Sequence, residues 1–204
     1  MQSVDVIFTI IVLIMSVVVH EVSHGYIANF LGDPTARLQG RLTLNPINHI
    51  DPIGSILVPL ASYFLGGFVI GWAKPVPFNP YNLRAGKWGP AIVALAGPAS
   101  NLLLAVIFSV LLRLGLSSSF ITAPAANIFS IIITINLILA IFNLIPVPPL
   151  DGSKLLFAVL PYQWKAVQDF MERYQLVLIF VLIFFGWRLF LPLVGSLLRL
   201  LLLY

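Results

Sequence analysis

The chain has 204 residues, of which 60% are hydrophobic and only 9% are charged, and its formal net charge is +4. An ordinary soluble domain is roughly 45–50% apolar and about 25% charged, so this composition excludes a separate soluble domain and indicates an integral membrane protein. The basic residues are scattered singly, which argues against a nucleic-acid partner, and the lack of cysteine excludes disulfides and thiolate metal sites.

The first apolar segment, residues 4–31, predicts a membrane helix that ends before a Gly-Asp-Pro sequence. Near its C-terminal end this segment contains His20, Glu21 and His24. Ionisable groups are costly within a bilayer, and those found in membrane helices usually belong to a functional site. The first helix is therefore expected to carry chemistry.

Two segments that follow the first helix are not simple spans. Residues 33–52 are polar and rich in proline, but the leucines between positions 38 and 44 alternate with polar residues, which predicts a half-buried strand or hairpin. Residues 53–71 are apolar but interrupted by proline and glycine, so we expect a re-entrant segment, followed by a loop over 72–89.

Two clear spans follow, residues 90–114 and residues 126–144, and the second leads into the proline-rich segment 146–152. Residues 153–173 hold much of the remaining charge and predict a short interfacial helix. Residues 174–204 are too long for one straight crossing and contain glycine and proline, which predicts a kinked helix or a span followed by a surface helix.

These segments predict an all-α polytopic membrane protein with four to six membrane helices, a short strand or hairpin, and a re-entrant segment after the first helix. The sequence shows no internal repeat and no linker, so residues 1–204 are expected to form a single domain. We expect a multi-pass protein, integral to the cell membrane.

The residues His20-Glu21-Val22-Ser23-His24 match the pattern H-E-x-x-H. Residues four apart share one face of a helix, so both imidazoles can bind one zinc ion, with Glu21 beside the water that such an ion binds. Alternatively, the three side chains only hydrogen-bond to their neighbours, but this leaves ionisable groups in the bilayer without a purpose. The pattern predicts a zinc centre that hydrolyses its substrate.

A hydrolytic zinc site usually has three protein ligands and an open fourth position, so a third ligand is required. Asp151 is the favoured candidate, because it follows a membrane helix and a stiff proline-rich turn that would fix its direction. Its alternative role is the N-cap of the next helix. The remaining acidic and imidazole residues are Asp5, Asp33, Asp51, Asp169, Glu172 and His49.

Three motifs in this order along the chain resemble the site-2 protease family of intramembrane zinc metalloproteases. They are HEVSHGYIA at 20–28, GPASN at 97–101 and FNLIPVPPLDG at 142–152. The sequence has no inserted PDZ-like or nucleotide-sensing domain, so it resembles the compact branch of that family, which consists of the core alone.

The resemblance implies a role for each matching residue. His20, His24 and Asp151 would hold one zinc ion per chain, and Glu21 would be the catalytic base. Asn143 would donate a hydrogen bond to the substrate carbonyl or to the developing oxyanion, as a neutral amide in a dry site can. The alternative for Asn143 is an amide that ties helices together.

The metal ligands also constrain the topology. If one zinc contacts the histidines and Asp151, the first helix and the helix over 126–144 must run parallel, so the segment 53–71 does not cross the membrane. Residues 33–89 and 151–173 then share one side, which the positive-inside rule places in the cytoplasm together with the active site. That side carries Arg37, Arg41, Lys74, Arg84, Lys87, Lys154, Lys165 and Arg173, against Arg113 near the other.

Three roles are open for His49, within the sequence NPINHIDPIG. It could be a fourth zinc ligand in a resting enzyme, a donor to the transition state, or a loop histidine that only bonds the backbone. The neighbouring Asp51-Pro52 pair predicts a helix N-cap with proline in the first helical position.

The sequence therefore predicts an intramembrane zinc metalloprotease that hydrolyses peptide bonds in or near transmembrane helices of other membrane proteins. Two rival functions are a scaffold that has kept the metal without catalysis, and a metal or proton transporter. An inactive scaffold is expected to have lost Glu21 or a ligand, and a transporter is expected to show further intramembrane acids or an inverted repeat.

Overall fold

The computed structural model describes residues 3–58, 61, 64, 71–118 and 121–202. Within these ranges the regular structure is helical, and no strand is present. The α-helices are α1 (Ser3–Phe30), α2 (Thr35–Leu38), α3 (Gly89–Ser117), α4 (Ala123–Asn143), α5 (Asp151–Val159), α6 (Lys165–Arg173), α7 (Gln175–Val181) and α8 (Trp187–Leu202). Short 3₁₀ turns cover Pro46–His49, Pro80–Asn82, Gly86–Trp88 and Tyr162–Trp164, and π-helical turns cover Pro52–Leu57 and Leu182–Gly186.

Three described helices, α1, α3 and α4, are long and apolar enough to cross a membrane. The C-terminal helices Gln175–Gly186 and Phe190–Leu202 meet at a bend of 66° and add a fourth if they form one broken span. A bend in this segment fits either predicted form, a kinked helix or a span followed by a surface helix. Among the described residues the count is thus three to four, against the four to six that the sequence predicts. Most of the segment 53–71, predicted to be re-entrant, lies outside the described residues.

The long helices pack through a face that combines small, polar and aliphatic residues, and they expose large apolar residues on the other face. Ala105 and Leu112 of α3 and Ile133 and Leu137 of α4 form a buried cluster. The opposite faces expose large side chains, for example Ile7, Ile10, Ile11 and Ile14 on α1 and Leu103, Val106 and Val110 on α3. Large exposed apolar surfaces are expected of helices that contact lipid, and close packing of helices in membranes relies on small residues.

The strand predicted between positions 38 and 44 is not formed in the structure. The chain instead leaves α2 through Gly40, whose φ of +64° turns it back so that the Arg41 N–H donates to the carbonyl of Ala36. Leu38 and Leu44 are 77% and 56% exposed. A strand needs a neighbouring strand for its backbone hydrogen bonds, and the described residues supply none.

The charged segment 153–173 forms two helices, α5 and α6, where one interfacial helix was predicted. The C-terminal helix α8 is fastened to α3 at its end. The Ser109 hydroxyl donates to the carbonyl of Leu201 at 2.6 Å, and the Arg113 guanidinium donates to the carbonyl of Leu200. These donors satisfy carbonyl groups that the last turn of a helix leaves without partners.

The loops after α1 are joined by the buried carboxylate of Asp33. Asp33 Oδ1 accepts hydrogen bonds from the Thr35 hydroxyl at 2.6 Å and the Asn82 amide at 2.9 Å, and Oδ2 accepts from the Asn79 backbone N–H at 2.6 Å. Burial acts to raise the pKa of Asp33, but these hydrogen bonds outweigh it and hold the pKa below its usual range. The ionised form of Asp33 therefore stabilises the folded protein.

We predict that Asp33→Asn lowers the free energy of unfolding by about 1–3 kcal/mol at pH 7, as expected for hydrogen bonds to a charged group. Because the folded-state pKa is depressed, the contribution is present above the unfolded-state pKa of about 3.9 and is lost as the pH falls through the lower folded-state value. The unfolding temperatures of the two proteins in detergent should thus differ at pH 7, and this difference should disappear in acid.

The matched control is Asp169→Asn, because the Asp169 side chain is 60% exposed and pairs with Lys165 on the surface of α6. Exposed ion pairs of this kind contribute little to the free energy of unfolding. A gap for Asp33→Asn that stays constant down to pH 3 would show that the side chain stabilises the fold by some means other than its charge.

Candidate metal centre

Three side chains from two parts of the chain meet at one point. His20 Nε2 lies 3.0 Å from His24 Nε2, and Asp151 Oδ2 lies 3.1 Å and 3.3 Å from these two nitrogens. Both histidines are buried, and the Asp151 side chain is 20% exposed. Among the described residues this is the group of histidine and acidic side chains that can hold a metal ion.

The order of contacts shows how the helices are arranged around this point. α3 runs antiparallel to α1, because Val93 contacts His24 whereas Asn101, further along α3, contacts His20 and Ser16. α4 runs parallel to α1, because Asn136 contacts Ser16 and the segment after α4 reaches both histidines. The parallel arrangement predicted from the ligand set is thus present.

Asp151 reaches the histidines because α5 begins close to the end of α4. The N-cap of α5 is Leu150 and Asp151 is the first helical residue, so the alternative role of Asp151 as an N-cap is wrong. Gly152 allows this approach, since a Cβ atom there would overlap the carbonyl oxygens of Leu144 and Ile145. The Asp151 side chain is directed at α1 rather than at its own helix end.

The hydrogen bonds of the histidines fix their tautomers. His24 Nδ1 lies 2.7 Å from the carbonyl oxygen of Val93, which can only accept, so Nδ1 carries the proton. His20 Nδ1 lies 2.6 Å from Oδ1 of Asn101, whose amide nitrogen donates to Ser16 O and to Asn136 Oδ1. The neutral form of each histidine therefore presents an unprotonated Nε2 to Asp151.

This arrangement fits a zinc ion. Two lone-pair nitrogens and a carboxylate oxygen lie within 3.3 Å of one another, and Asp151 Oδ2 is buried with no hydrogen-bond partner among the described residues. Three electron-rich atoms repel one another unless a cation lies among them. Nitrogen and oxygen ligands bound at about 2.0–2.1 Å to a tetrahedral zinc are about 3.3 Å apart, close to the distances observed.

Asn101 belongs to the GPASN motif, whereas Asn136 lies in none of the three motifs. In the structure both are buried, and Asn136 donates to the hydroxyl of Ser16 at 2.9 Å while accepting from Asn101 at 2.8 Å. Asn136 and Ser16 thus hold the Asn101 amide, whose oxygen contacts His20. An asparagine in the middle of an apolar span is itself a signal, because such a residue needs a buried partner.

Glu21 lies beside the ligands on α1 and is half-buried. Its Oε2 accepts a hydrogen bond from the backbone N–H of Val76 at 2.9 Å. Nothing in the sequence pattern had linked residue 76 to the motif, because the contact joins positions 55 residues apart.

The other two residues predicted for substrate contacts bind the backbone in this structure. Asn143 is the last residue of α4, and its amide nitrogen donates to the carbonyl of Leu139 at 3.0 Å. His49 is buried in a 3₁₀ turn, where Nε2 donates to the carbonyl of Thr43 at 2.9 Å. Asp51 accepts from two backbone N–H groups of the following turn, which confirms the predicted N-cap.

Comparison with known proteins agrees with this geometry. The sequence profile described as Peptidase family M50 matches residues 8–120 and 114–186. The chain belongs to peptidase family M50. This is the site-2 protease family named by the motifs, so the chain is a zinc metalloprotease of the site-2 type, integral to a membrane.

Two relatives of the chain are provisionally named zinc metalloproteases. YwhC of Bacillus subtilis is 39% identical over 180 residues, which cover 86% of this chain and 79% of YwhC. Rip2 of Mycolicibacterium smegmatis is 34% identical over 143 residues, 68% of this chain and 52% of Rip2, so the chain spans about half of that relative. No solved structure matches the chain.

We predict that Gly97→Ala lowers the zinc content of the purified protein. A Cβ atom at position 97 would lie 2.5 Å from Nε2 of both His20 and His24, so α3 or the imidazoles must shift. Metal analysis after equilibration with a weak chelator measures the loss. Gly195→Ala in α8 is the matched control, because a Cβ there meets nothing within 4 Å. Equal zinc in both variants would contradict this account of the site.

We also predict that Asn101→Ala weakens zinc binding about 10- to 100-fold, the usual effect of removing the hydrogen-bond partner of a histidine ligand. Competition with a fluorescent chelator measures the affinity. Ser109→Ala is the control, since Ser109 is equally buried on the same helix but bonds Leu201. If both variants lose affinity alike, the effect would come from helix packing rather than from His20.

Proposed function

We propose that this protein hydrolyses peptide bonds in or beside transmembrane helices of other membrane proteins. The observation that carries the proposal is that His20, His24 and Asp151 converge within a membrane-spanning bundle, with Glu21 beside them. A hydrolytic centre built into the spans implies a substrate that is itself in the membrane.

In this proposal His20, His24 and Asp151 hold one zinc ion through Nε2, Nε2 and Oδ2. When bound, zinc supplies a Lewis acid that polarises the scissile carbonyl and lowers the pKa of water to about 7. The protein's own part is to keep both imidazoles unprotonated at Nε2, through Asn101 and the Val93 carbonyl, and to exclude other donors from Asp151.

Glu21 is proposed as the general base. It takes a proton from the attacking water and later gives it to the leaving amine, so no covalent enzyme intermediate is needed. Its neighbour His20 is a ligand, which keeps the carboxylate next to the reacting atoms. A helical substrate hides its amides in its own hydrogen bonds, so the cleaved segment must become extended before its carbonyl reaches the site.

Asn143 is proposed as a donor to the substrate carbonyl or the oxyanion, on the strength of the family motif. Its position at the end of α4, eight residues before Asp151, supports this role. On substrate binding, the Asn143 amide would give up its hydrogen bond to the Leu139 carbonyl and donate to the substrate instead. His49 is 2% exposed and bonded to Thr43 O, which favours the third of its possible roles, a loop histidine that bonds the backbone.

The active site is proposed to face the cytoplasmic side of the cell membrane. The loops that join α1 to α3, together with the segment after α4, carry most of the basic residues, and such residues mark the cytoplasmic side.

We predict that Glu21→Gln abolishes hydrolysis but retains about one zinc per chain, because the amide cannot take the proton yet is not a ligand. His24→Ala and Asp151→Ala should lose both zinc and hydrolysis. Purified proteins in liposomes, with synthetic single-span peptides that contain helix-breaking glycine and proline, allow product masses and zinc content to be measured together.

Asp169→Asn serves as the control for loss of a carboxylate away from the site. Hydrolysis that survives Glu21→Gln would contradict the role of the base. Zinc retained in Asp151→Ala would contradict the ligand set, and a folded chain that binds no zinc would contradict the proposal as a whole.

A further inference from the structure

Residues 71–79, here called the strap, run without helix beside the C-terminal half of α1. The strap is held by hydrogen bonds from both of its ends. At one end the Trp72 N–H donates to Gly54 O at 3.0 Å and the Lys74 N–H donates to His49 O at 2.9 Å. At the other end the Asn79 N–H donates to Asp33 Oδ2 at 2.6 Å.

The middle of the strap lies against the proposed base. The Val76 N–H donates to Glu21 Oε2 at 2.9 Å, and the Val76 side chain is only 5% exposed. Val76 fits there because Gly25, one turn after Glu21, has no side chain, since a Cβ at Gly25 would lie 2.8 Å from Val76 Cγ1. The contact is thus built into α1 on the same face as Glu21.

Arg41 binds the backbone of the strap just before Val76. Its side chain is buried, and one guanidinium nitrogen donates to Lys74 O at 2.8 Å and Pro75 O at 3.3 Å. Among the described residues it forms no ion pair. A buried cation without an acidic partner is costly. The buried position of Arg41 therefore indicates that its hydrogen bonds to these two carbonyls are needed to hold the strap.

We propose that the strap positions the Glu21 carboxylate for catalysis and that Arg41 is a positioning residue acting through Val76. This inference rests on the proposed role of Glu21 as the base. The N–H engages one carboxylate oxygen and leaves Oε1 without a hydrogen bond among the described residues. A backbone donor also fixes the direction of the carboxylate without neutralising its charge, as a lysine or arginine there would.

The sharpest test compares Val76→Pro with Val76→Ala. Both remove the valine side chain, but only proline removes the N–H, and the flanking Pro75 and Pro77 already restrict the backbone. In the liposome assay, kcat of Val76→Pro should fall about tenfold or more below that of Val76→Ala, with similar KM and zinc content, because the lost bond is made to a charged group.

A second readout does not depend on hydrolysis. The chain contains two glutamates, Glu21 and Glu172, so Glu172→Gln with ¹³C-carboxyl glutamate leaves Glu21 as the single labelled side chain. In infrared spectra of this protein, the carboxylate stretch should shift in Val76→Pro relative to Val76→Ala. An unchanged band would show that the N–H does not hold Glu21, and would overturn the proposal even with a lowered kcat.

Arg41 provides a test from the other side of the strap. Arg41→Gln should lower kcat and shift the Glu21 band as Val76→Pro does, and Arg41→Lys, which keeps a cationic donor, should recover part of both. Equal kcat in the proline and alanine variants overturns the strap's role while the proposed protease activity stands. Absence of hydrolysis in the unaltered, zinc-loaded chain would overturn both.

Discussion

The arrangement of the bundle depends on the repulsion among three electron-rich atoms. Nε2 of His20, Nε2 of His24 and Oδ2 of Asp151 lie within 3.3 Å of one another inside a low-dielectric environment. Such an arrangement is stable only with a cation among the three atoms, and it is useful only if protons are kept off the nitrogens. The buried polar contacts of α3 and α4 meet the second condition, and a zinc ion held by the three side chains would meet the first.

The helix packing follows from that condition. α3 has to place a carbonyl at His24 and an amide at His20 while leaving room for both rings, which is why its sequence at this height is Val93, Gly97 and Asn101. Four-residue spacing brings these positions onto one helix face, antiparallel to the face of α1 that carries the histidines. The small residues are thus needed for the site as much as for the packing of the spans.

The parts of the site that sequence reasoning found are those set by local rules. The spacing of His20 and His24 fixes their common face, and a stiff turn after a span favoured Asp151. The prediction of a strand between positions 38 and 44 was wrong, because alternation is a local pattern whereas a strand requires a partner strand elsewhere in the chain. Long-range contacts such as Val76 with Glu21 depend on how loops fold back onto α1, and no spacing in the sequence encodes that contact.

The length of α1 fixes the depth of the chemistry. Its 28 residues extend about 42 Å, whereas the hydrocarbon layer is about 30 Å thick, so the helix must tilt or project into the headgroups. His24 lies six residues before the end of α1, about 9 Å along its axis. In the proposed reaction, the height at which a substrate helix meets the histidines is then a property of the bilayer as well as of the protein. A thicker membrane changes the tilt, and with it the position along the substrate that comes level with the histidines.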